Sequence, residues 1–358
     1  MPRVPGGLDG VGDYALTLAA KLRDQFGCQT VFATPDASSS TSVRDFEVWA
    51  LDRICDRVHE FSRMLLHYVN YGYQKRGVPF GLLSILRRMR RQHRSKLLTI
   101  FHELYASGPP SSSAFWLQPI QIHLTKSVAR LSDECIVSSE NFQHELQRLV
   151  PNAQIHLHPT PSGLEEPTLS RQQIVNRDPH RWAVVGGTML SERSLRSFAR
   201  AIQWIPPSLA PRTLFVLGGS ENPATHSLLS ELRIESDYRP RIAAADASEI
   251  LETCSFAWFN YFHRSDVETS VILKSSAFAA ACAHGVIPVL PHRGTPISIE
   301  GDRLAGPFFV EPNVREIPDE QNRAEIAQKI YDWYRRHASS ECLVPDVAAA
   351  LDLDRLSQ

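Results

Sequence analysis

Apolar positions along the chain form two alternating patterns, helical stripes and short continuous runs. Over residues 11–26 apolar side chains recur every three or four positions, which is the spacing of one helix face. The short runs between such stripes are typical of strands in a buried sheet. They predict strands at residues 30–33, 46–51, within 65–73, and at 97–101, 135–138, 154–158, 182–185, 214–217, 256–261 and 286–290. The stripes predict helices at residues 11–26, 80–92, 119–131, 141–150, 191–204, 224–232, 248–252 and 322–337.

Strand and helix alternate through both halves of the chain, which is the pattern of parallel sheets covered by helices. The sequence therefore predicts an α/β protein with two Rossmann-like domains whose parallel sheets face each other across a cleft. A chain of 358 residues is long enough for two domains with their own cores. We assign residues 1–160 to the first domain, the polar run 161–178 to a linker, and residues 179–358 to the second domain.

Four glycines near the start, Gly6, Gly7, Gly10 and Gly12, predict a loop that leads into the first helix. A strand precedes such a loop in nucleotide-binding α/β folds. Only five residues precede Gly6, so we expect the first strand to be absent from this chain or encoded upstream. The glycine spacing G-x-x-G-x-G also differs from the dinucleotide order G-x-G-x-x-G, which disfavours a dehydrogenase.

The stretch from Lys274 to Leu290 predicts a helix followed by a buried strand, around which we expect the second half of the chain to be organised. Ser275 or Ser276 can cap a helix that ends at Gly285, and the apolar run after it predicts a strand buried on both faces. Lys274 directly precedes the helix start, so its ammonium and the helix dipole could face one phosphate group. The alternative is a buried helix beside a solvated lysine.

Composition excludes several classes of protein. A formal net charge of −1 argues against binding to nucleic acid, and no apolar run approaches the length of a bilayer span. Six scattered cysteines predict neither a zinc site nor a disulfide framework. The glycine-rich start does not resemble a signal peptide, so we expect a cytoplasmic protein. We interpret Asp352-Leu-Asp354 as part of the tail and predict no metal and no cofactor.

A basic cluster lies at the end of the predicted helix 80–92. It consists of Arg87, Arg88, Arg90 and Arg91 and continues through His93, Arg94 and Lys96. One interpretation is peripheral contact with the inner face of a membrane or with an acidic partner. The other is a solvated helix face, which the balanced net charge favours.

Several side chains are candidates for chemistry. His102 and Glu103 follow the strand 97–101, at the edge of a parallel sheet where ligands bind. His102 could act as a base or contact a sugar hydroxyl. Arg193 follows Gly187 near a helix start, and with Lys274 it could hold a diphosphate. Glu268 and its neighbour Asp266 could bind sugar hydroxyls.

Four segments make the chain resemble bacterial GT-B glycosyltransferases of the group called family 4. They are residues 10–16 (GVGDYAL), 71–79 (YGYQKRGVP), 102–110 (HELYASGPP) and 283–289 (AHGVIPV). The resemblance implies a nucleotide-sugar donor in the domain 179–358 and a glycan or lipid-linked acceptor on the domain 1–160. It implies metal-independent transfer with retained configuration.

The resemblance also implies roles for individual residues. Arg193 and Lys274 look similar to the basic pair that stabilises the leaving diphosphate in such enzymes. From its position after the strand 97–101 we predict His102 as a third catalytic residue, in contact with the transferred sugar. We predict that the donor is bound by Gly10, Gly12, Gly187, Glu268, Ser275 and Ser276.

The sequence departs from the family pattern at two places. Gly187 stands where the family usually has an arginine. Counting back from Gly285 puts Ile272 and Ala280 where the family usually has two glutamates. Counting forward from Glu268 puts the partner at Ser276, so neither count gives two carboxylates. Two alternatives therefore remain beside a glycosyltransferase. One is a non-catalytic GT-B scaffold, and the other is a sugar-nucleotide epimerase of the same fold.

Overall fold

A computed structural model describes residues 1–4, 10–37, 41–92, 95–262, 267–312 and 314–353 of the chain. The chain divides into two compact units. Unit 1 contains Met1–Pro159 and Leu343–Gln358, and unit 2 contains Thr160–Cys342. Each unit is an α/β domain built on a parallel sheet, which confirms the predicted fold class.

The strands and helices of unit 1 follow the predicted alternation. The strands are β1 Val31–Thr34, β2 Thr41–Val43, β3 Phe46–Ala50, β4 Arg63–Tyr68, β5 Lys96–Phe101, β6 Glu134–Val137 and β7 Ile155–Leu157. The helices are α1 Gly10–Phe26, α2 Asn70–Tyr73, α3 Phe80–Gln92, α4 Ser113–Leu131 and α5 Glu140–Leu149, with 3₁₀ turns at Leu51–Asp56 and Val58–Glu60.

Unit 1 contains two sheets. β1, β3 and β2 form one in the order β1-β3-β2, and β4 to β7 form a parallel sheet in sequence order. The side chains of β5 alternate between two apolar clusters, as strand geometry requires. Leu98 and Ile100 pack with α1, whereas Leu97 and Phe101 pack with α3 and α4.

The strands and helices of unit 2 extend from Arg171 onward. The strands are β8 Arg181–Val185, β9 Thr213–Leu217, β10 Glu235–Arg239, β11 Phe256–Trp258, β12 Ile287–Leu290, β13 Ser298–Ile299, β14 Asp302–Arg303, β15 Phe308–Glu311 and β16 Val314–Glu316. The helices are α6 Arg171–Val175, α7 Thr188–Ala201, α8 Pro223–Glu231, α9 Ala244–Thr253, α10 Ser276–Ala283 and α11 Glu320–His337. The last helix, α12 Ser340–Ala350, begins at the end of unit 2 and belongs to unit 1 from Leu343 onward. The 3₁₀ turns are Ile202–Trp204, Pro207–Leu209 and Thr269–Lys274.

The main sheet of unit 2 has the order β10-β9-β8-β11-β12-β15-β16, and only the last pair is antiparallel. β12 lies near its centre, and every residue of that strand is buried. The prediction of a doubly buried strand after Gly285 is therefore confirmed. Because the strands are parallel, β8, β9, β11 and β12 end at the same edge, and helices α7 and α10 begin after β8 and β11.

The structure corrects two details at the N-terminal side of unit 1. Helix α1 begins at Gly10 and includes Gly12, so these two glycines lie in the helix rather than in the predicted loop. Gly6 and Gly7 lie outside the described residues. Helix α4 begins at Ser113, six residues before the predicted start at Pro119, because the Ser112 hydroxyl accepts a hydrogen bond from the Phe115 amide and caps the helix.

The end of the chain also differs from the sequence interpretation, which put it in the second domain as a tail. Unit 2 begins at Thr160, within the region expected to precede the linker. From Leu343 onward the chain belongs to unit 1. There Leu343, Val344 and Val347 of α12 pack with Leu98 and Ile136 of the parallel sheet. The apolar face of α12 therefore covers one face of the unit 1 sheet.

This packing predicts the effect of a charge on α12. Val347 is fully buried, whereas Ala349 on the same helix is exposed. Val347→Asp should lower the free energy of unfolding by about 3 kcal/mol or more, because a buried carboxylate has no partner there. Urea denaturation followed by far-UV circular dichroism measures the loss. Ala349→Asp is the matched control, and an equal effect of both substitutions would contradict the packing.

Candidate functional site

Two glycine turns meet at the carboxyl edge of the unit 2 sheet. Gly186 and Gly187 connect β8 to α7, and Gly218 and Gly219 follow β9. A Cβ on Gly218 would lie 2.9 Å from the Gly186 carbonyl oxygen, and one on Gly219 would lie 2.7 Å from the Thr188 nitrogen. Gly218 and Gly219 also have φ angles of +95° and +71°, which favour glycine. The two turns therefore touch through backbone atoms.

Gly187 differs from the other three glycines. It is the N-cap residue of α7 with φ −67°, and a Cβ there would meet no atom within 4 Å. The Thr188 hydroxyl next to it accepts a hydrogen bond of 2.8 Å from the Ser220 amide, which ties the two turns together. The packing around position 187 would therefore accept a side chain. Because the residue is glycine, no side chain covers the start of α7.

The start of α10 matches the sequence prediction. The Ser275 hydroxyl accepts a hydrogen bond of 3.3 Å from the Phe278 amide, so Ser275 is the N-cap and Ser276 is the first helical residue. Lys274 ends the preceding 3₁₀ turn and is half-buried. The segment before β8 also reaches this place, since a Cβ on Gly163 would lie 3.2 Å from the Ser276 Cβ. Lys274, Ser275 and Ser276 are thus gathered at one helix N-terminus.

Arg193 donates hydrogen bonds to two backbone carbonyls, which the sequence did not predict. Its Nε donates to the Asn260 carbonyl oxygen at 2.5 Å, and its Nη2 donates to the Tyr261 carbonyl oxygen at 2.6 Å. The Ser194 hydroxyl accepts from the Asn260 amide at 3.0 Å. Partial burial lowers the pKa of Arg193. Helix α7 therefore holds the chain where it leaves β11, and a diphosphate contact of Arg193 stays a prediction.

The acidic candidates give less support to a binding site at this edge than the glycine turns and the helix starts do. Glu268 is exposed and accepts a hydrogen bond of 2.9 Å from the Ser270 hydroxyl, while Asp266 lies outside the described residues. Ile272 and Ala280, the positions reached by counting back from Gly285, are 0% and 1% exposed. Their apolar side chains belong to the core of unit 2.

His284, which sequence reasoning did not single out, is buried at the end of α10. Its Nδ1 lies 2.7 Å from the Ala280 carbonyl oxygen, and its Nε2 lies 2.6 Å from the Ser248 hydroxyl. Since a carbonyl only accepts, Nδ1 carries the proton and Nε2 accepts from Ser248. Burial lowers the pKa of His284 to about 4. The neutral imidazole thus joins α10 to α9.

A buried arginine donates hydrogen bonds at the C-terminal end of the same helix. Arg177 donates through Nη1 to the carbonyl oxygens of Gly285 at 3.1 Å and Cys254 at 3.4 Å. Burial lowers its pKa to about 10, which leaves the guanidinium charged near neutral pH. A cation at a helix C-terminus satisfies carbonyls that have no partner within the helix. Arg177 therefore stabilises the end of α10 opposite to Lys274.

In unit 1, His102 follows β5 and meets a second histidine. The His67 Nδ1, at the end of the neighbouring parallel strand β4, lies 3.0 Å from the His102 Nε2. The Tyr14 ring of α1 contacts both imidazoles edge-on, at centroid distances of 5.3 and 5.2 Å. Burial, and then the charge of His102, lowers the pKa of His67. The prediction that His102 faces a ligand stays open, but its position at a strand exit is as expected.

Three residues of the basic cluster are paired with acids. Arg88 contacts Asp56 at 3.2 Å, Arg90 contacts Asp133 at 2.9 Å, and Lys96 contacts Glu134 at 3.0 Å and Asp352 at 3.2 Å. Arg87 and Arg91 are exposed, and His93 and Arg94 lie outside the described residues. Membrane contact through this cluster stays a prediction. None of the helices in the described part of the chain is long and apolar enough to cross a bilayer.

Comparison with solved structures identifies the architecture. The chain is similar to a trehalose-6-phosphate structure from E. coli bound with UDP-2-fluoro glucose, at 10% identity over 96% of this chain and 97% of that chain, with a TM-score of 0.55. A trehalose-6-phosphate synthase studied with bisubstrate glycomimetics matches at 9% identity over 97% of both chains, with a TM-score of 0.52. The chain has the GT-B fold.

A third match agrees with the GT-B fold. The lipopolysaccharide outer core galactosyltransferase WaaB matches at 8% identity over 93% of this chain and 95% of that chain, with a TM-score of 0.50. The chain spans 63% of the length of the matched chain in the GtfA/B complex, where the TM-score is 0.48. No family model and no curated protein sequence matches this chain.

The burial of His284 in the GT-B fold predicts a pH dependence of stability. Its pKa is about 4 when folded and 6.5 ordinarily, so the unfolded chain binds a proton more readily between these values. The contribution of His284 is complete above pH 6.5 and decreases by up to about 3 kcal/mol as the pH falls to 4. His284→Gln should flatten the dependence of the unfolding free energy on pH in this range.

Urea denaturation at pH 4.5 and pH 7 measures this difference. His226→Gln is the control, because His226 is exposed on α8 and should keep the wild-type slope. An unchanged slope in His284→Gln would show that His284 is not the buried neutral group described.

Proposed function

We propose that the protein is a glycosyltransferase that moves a sugar from a nucleotide-sugar donor to a saccharide or lipid-linked acceptor. The observation that carries the proposal is the carboxyl edge of the unit 2 sheet, where two glycine turns and the N-termini of α7 and α10 are assembled. Helix N-termini favour anions such as a diphosphate. The similar E. coli structure with bound UDP-2-fluoro glucose supports a UDP-sugar as the donor.

In this proposal the donor diphosphate lies at the start of α10. The amides of its first turn point toward the ligand, and the Lys274 ammonium lies beside it. Gly187 lets the backbone at the start of α7 approach the donor closely, because no side chain intervenes. Arg193 adds positive charge from α7 and positions the exit of β11 through Asn260 and Tyr261.

The reaction exchanges one bond at the sugar. The bond from C1 to the oxygen of the terminal phosphate breaks, a bond from C1 to the acceptor oxygen forms, and the proton of the acceptor hydroxyl passes to the leaving phosphate oxygen. Negative charge grows on the leaving diphosphate, so a fixed ammonium and helix amides stabilise the transition state more than the bound donor. Lys274 and the helix therefore take the place of a divalent ion, and activity should persist in EDTA.

We further propose that the anomeric configuration is retained, since a trehalose-6-phosphate synthase of the same fold is described as transferring with retention. His102 is our candidate for contact with the transferred sugar. Its hydrogen bond to His67 would fix the orientation of its ring. NMR analysis of the first product formed distinguishes retention from inversion.

Replacement of Lys274 tests the proposed diphosphate site. Lys274→Ala should reduce turnover of UDP-glucose by about a hundredfold, because the ammonium acts mainly on charge that develops in the transition state. Lys274→Arg should recover part of the activity. Release of UDP measures turnover, and Lys329→Ala on the exposed face of α11 is the control. Full activity of Lys274→Ala would refute this role.

Replacement of Gly187 tests the close approach of the backbone. A Cβ at this position meets no protein atom, so Gly187→Ala should keep the melting temperature within about 2 °C of wild type. It should weaken UDP binding at least about fivefold, since the methyl group would occupy space that the ligand uses. Calorimetry measures both quantities. Gly219→Ala, which collides with the Thr188 backbone, should instead lower the melting temperature.

One observation favours a second candidate, a GT-B scaffold without catalysis. Counting back from Gly285, the positions of the two family glutamates carry Ile272 and Ala280, and both are buried in the core. Titration with UDP and UDP-glucose separates the candidates. A glycosyltransferase should bind both, whereas a scaffold should release no heat with either.

A further inference from the structure

Exposed apolar side chains are concentrated on one part of unit 1. Eight large apolar residues are exposed in the described part of the chain, and five of them lie between residues 71 and 120. They are Tyr71, Phe80, Phe115, Trp116 and Ile120, with Trp116 70% exposed and Phe80 55% exposed. Single apolar side chains on a surface need no explanation, but a group of this kind indicates a binding surface.

Helices α3 and α4 carry most of these residues side by side. The helices follow the neighbouring parallel strands β4 and β5, so both begin at the carboxyl edge of the sheet and run in the same direction. Leu86 of α3 and Leu124 of α4 pack in one apolar cluster, which leaves the opposite sides of both helices directed away from the sheet. We call this outer surface the α3–α4 face. Its members are all exposed, and they are Phe80, Arg87 and Arg91 on α3 and Trp116, Ile120 and Arg130 on α4.

The same part of the chain is strongly basic. Residues 70–132 contain ten Lys and Arg residues and a single acid, Glu103, although the whole chain has a formal net charge of −1. Arg88 and Arg90 have acidic partners, whereas the three arginines of the α3–α4 face pair with no carboxylate among the described residues. This face therefore presents uncompensated positive charge beside aromatic rings, and an anionic partner complements it.

The Trp116 ring is held in place although it is exposed. Its Nε1 donates to the Pro110 carbonyl oxygen at 2.9 Å, and its ring meets the Phe115 ring edge-on at a centroid distance of 5.3 Å. An aromatic ring that is already fixed loses little conformational freedom when a ligand packs on it. The C–H groups of a sugar ring offer a flat apolar surface to such a ring. Trp116 is thus suited to contact with a saccharide.

We propose that the α3–α4 face binds an acidic glycan, a chain of sugars that carries carboxylate or phosphate groups. The Trp116 ring packs against one sugar, and the arginines of the face pair with the anionic groups along the chain, since a guanidinium matches both kinds of anion. From Trp116 to Arg130 helix α4 extends about 21 Å, which suits a chain rather than a single sugar.

This glycan would be the extended part of the acceptor, so the assignment rests on the proposed glycosyl transfer. The segment from β5 to α4 begins at His102 and ends at the N-cap Ser112, and Trp116 lies in the first turn of α4. The aromatic end of the α3–α4 face therefore lies at the sheet edge where His102 is proposed to contact the transferred sugar. The arginines extend away from that edge along both helices.

An anionic membrane is the competing partner. A helix on a membrane surface buries a continuous apolar face, and an interfacial tryptophan keeps its N–H for the wet side. On α4 the exposed apolar positions end with Ile120, and the exposed positions beyond it are His123 and Arg130. The Trp116 N–H is bound within the protein. Both observations favour a glycan.

Calorimetric titration without a nucleotide sugar tests the α3–α4 face. The probes are a galacturonic acid oligomer, a phosphorylated mannose oligomer, a neutral galactose oligomer of the same length, and vesicles of phosphatidylglycerol. At least one acidic oligomer should bind about tenfold or more tightly than the neutral one, and its affinity should fall as NaCl is added. The two acidic oligomers distinguish carboxylate from phosphate groups.

Substitutions test which residues bind. Trp116→Ala and Arg91→Ala should each weaken binding of the acidic oligomer at least about fivefold, whereas Trp116→Phe should keep most of the affinity. Both side chains are exposed, so the melting temperature should stay within about 2 °C of wild type. Arg23→Ala is the control, because Arg23 is exposed on α1, which packs on the other side of the sheet.

Three results would overturn the proposal. They are equal affinity for the neutral and acidic oligomers, binding of vesicles but of no oligomer, and unchanged affinity in both Trp116→Ala and Arg91→Ala. Turnover of UDP-glucose separates this proposal from the proposed function. Binding of an acidic oligomer by a protein that never turns over a nucleotide sugar would contradict the transfer and leave the binding surface in place. Turnover without binding of either acidic oligomer would contradict only the surface.

Discussion

Parallel pairing of β8 with β11, and of β11 with β12, is the constraint on which the candidate site depends. It brings the carboxyl ends of these strands to one edge and delivers the starts of α7 and α10 there. The strands are held in place by burial on both faces, with Trp182, Phe256 and Trp258 fully enclosed. Because these strands cannot shift without opening the core, the starts of α7 and α10 at this edge are fixed in space.

The polar side chains around this edge mostly form hydrogen bonds to backbone groups. Arg193 donates hydrogen bonds to the carbonyls at the exit of β11, and Arg177 donates to a carbonyl just after the C-terminal end of α10. His284 joins α10 to α9 through its hydrogen bond to a serine hydroxyl of α9. Each satisfies groups that would otherwise be buried without partners. These bonds hold the C-terminal end of α10 and the exit of β11 in place, whereas Lys274 directly precedes the start of α10 and Gly187 directly precedes the start of α7. Preorganisation of this kind is what stabilisation of a leaving anion requires.

Much of the fold could be predicted from the sequence, because apolar periods define α3, α10 and β12 within a residue or two. The failures have physical causes. β10 is an edge strand of mainly polar residues, and α12 contains Pro345, which argues against a continuous helix in the sequence. The carbonyl partners of Arg193 depend on tertiary placement, which no local pattern records. The pair His67 and His102 required the register of β4 against β5, although two histidines at the ends of neighbouring strands were a usable signal.

Amide hydrogen exchange with and without UDP tests the central claim most directly, because it reports where the nucleotide meets the backbone. The account predicts slower exchange at the start of α10, residues 276–279, and at the turn into α7, residues 187–190. Exchange in α3 of unit 1 should not change. Binding of UDP that leaves both helix starts unprotected would contradict the claim that this edge holds the diphosphate.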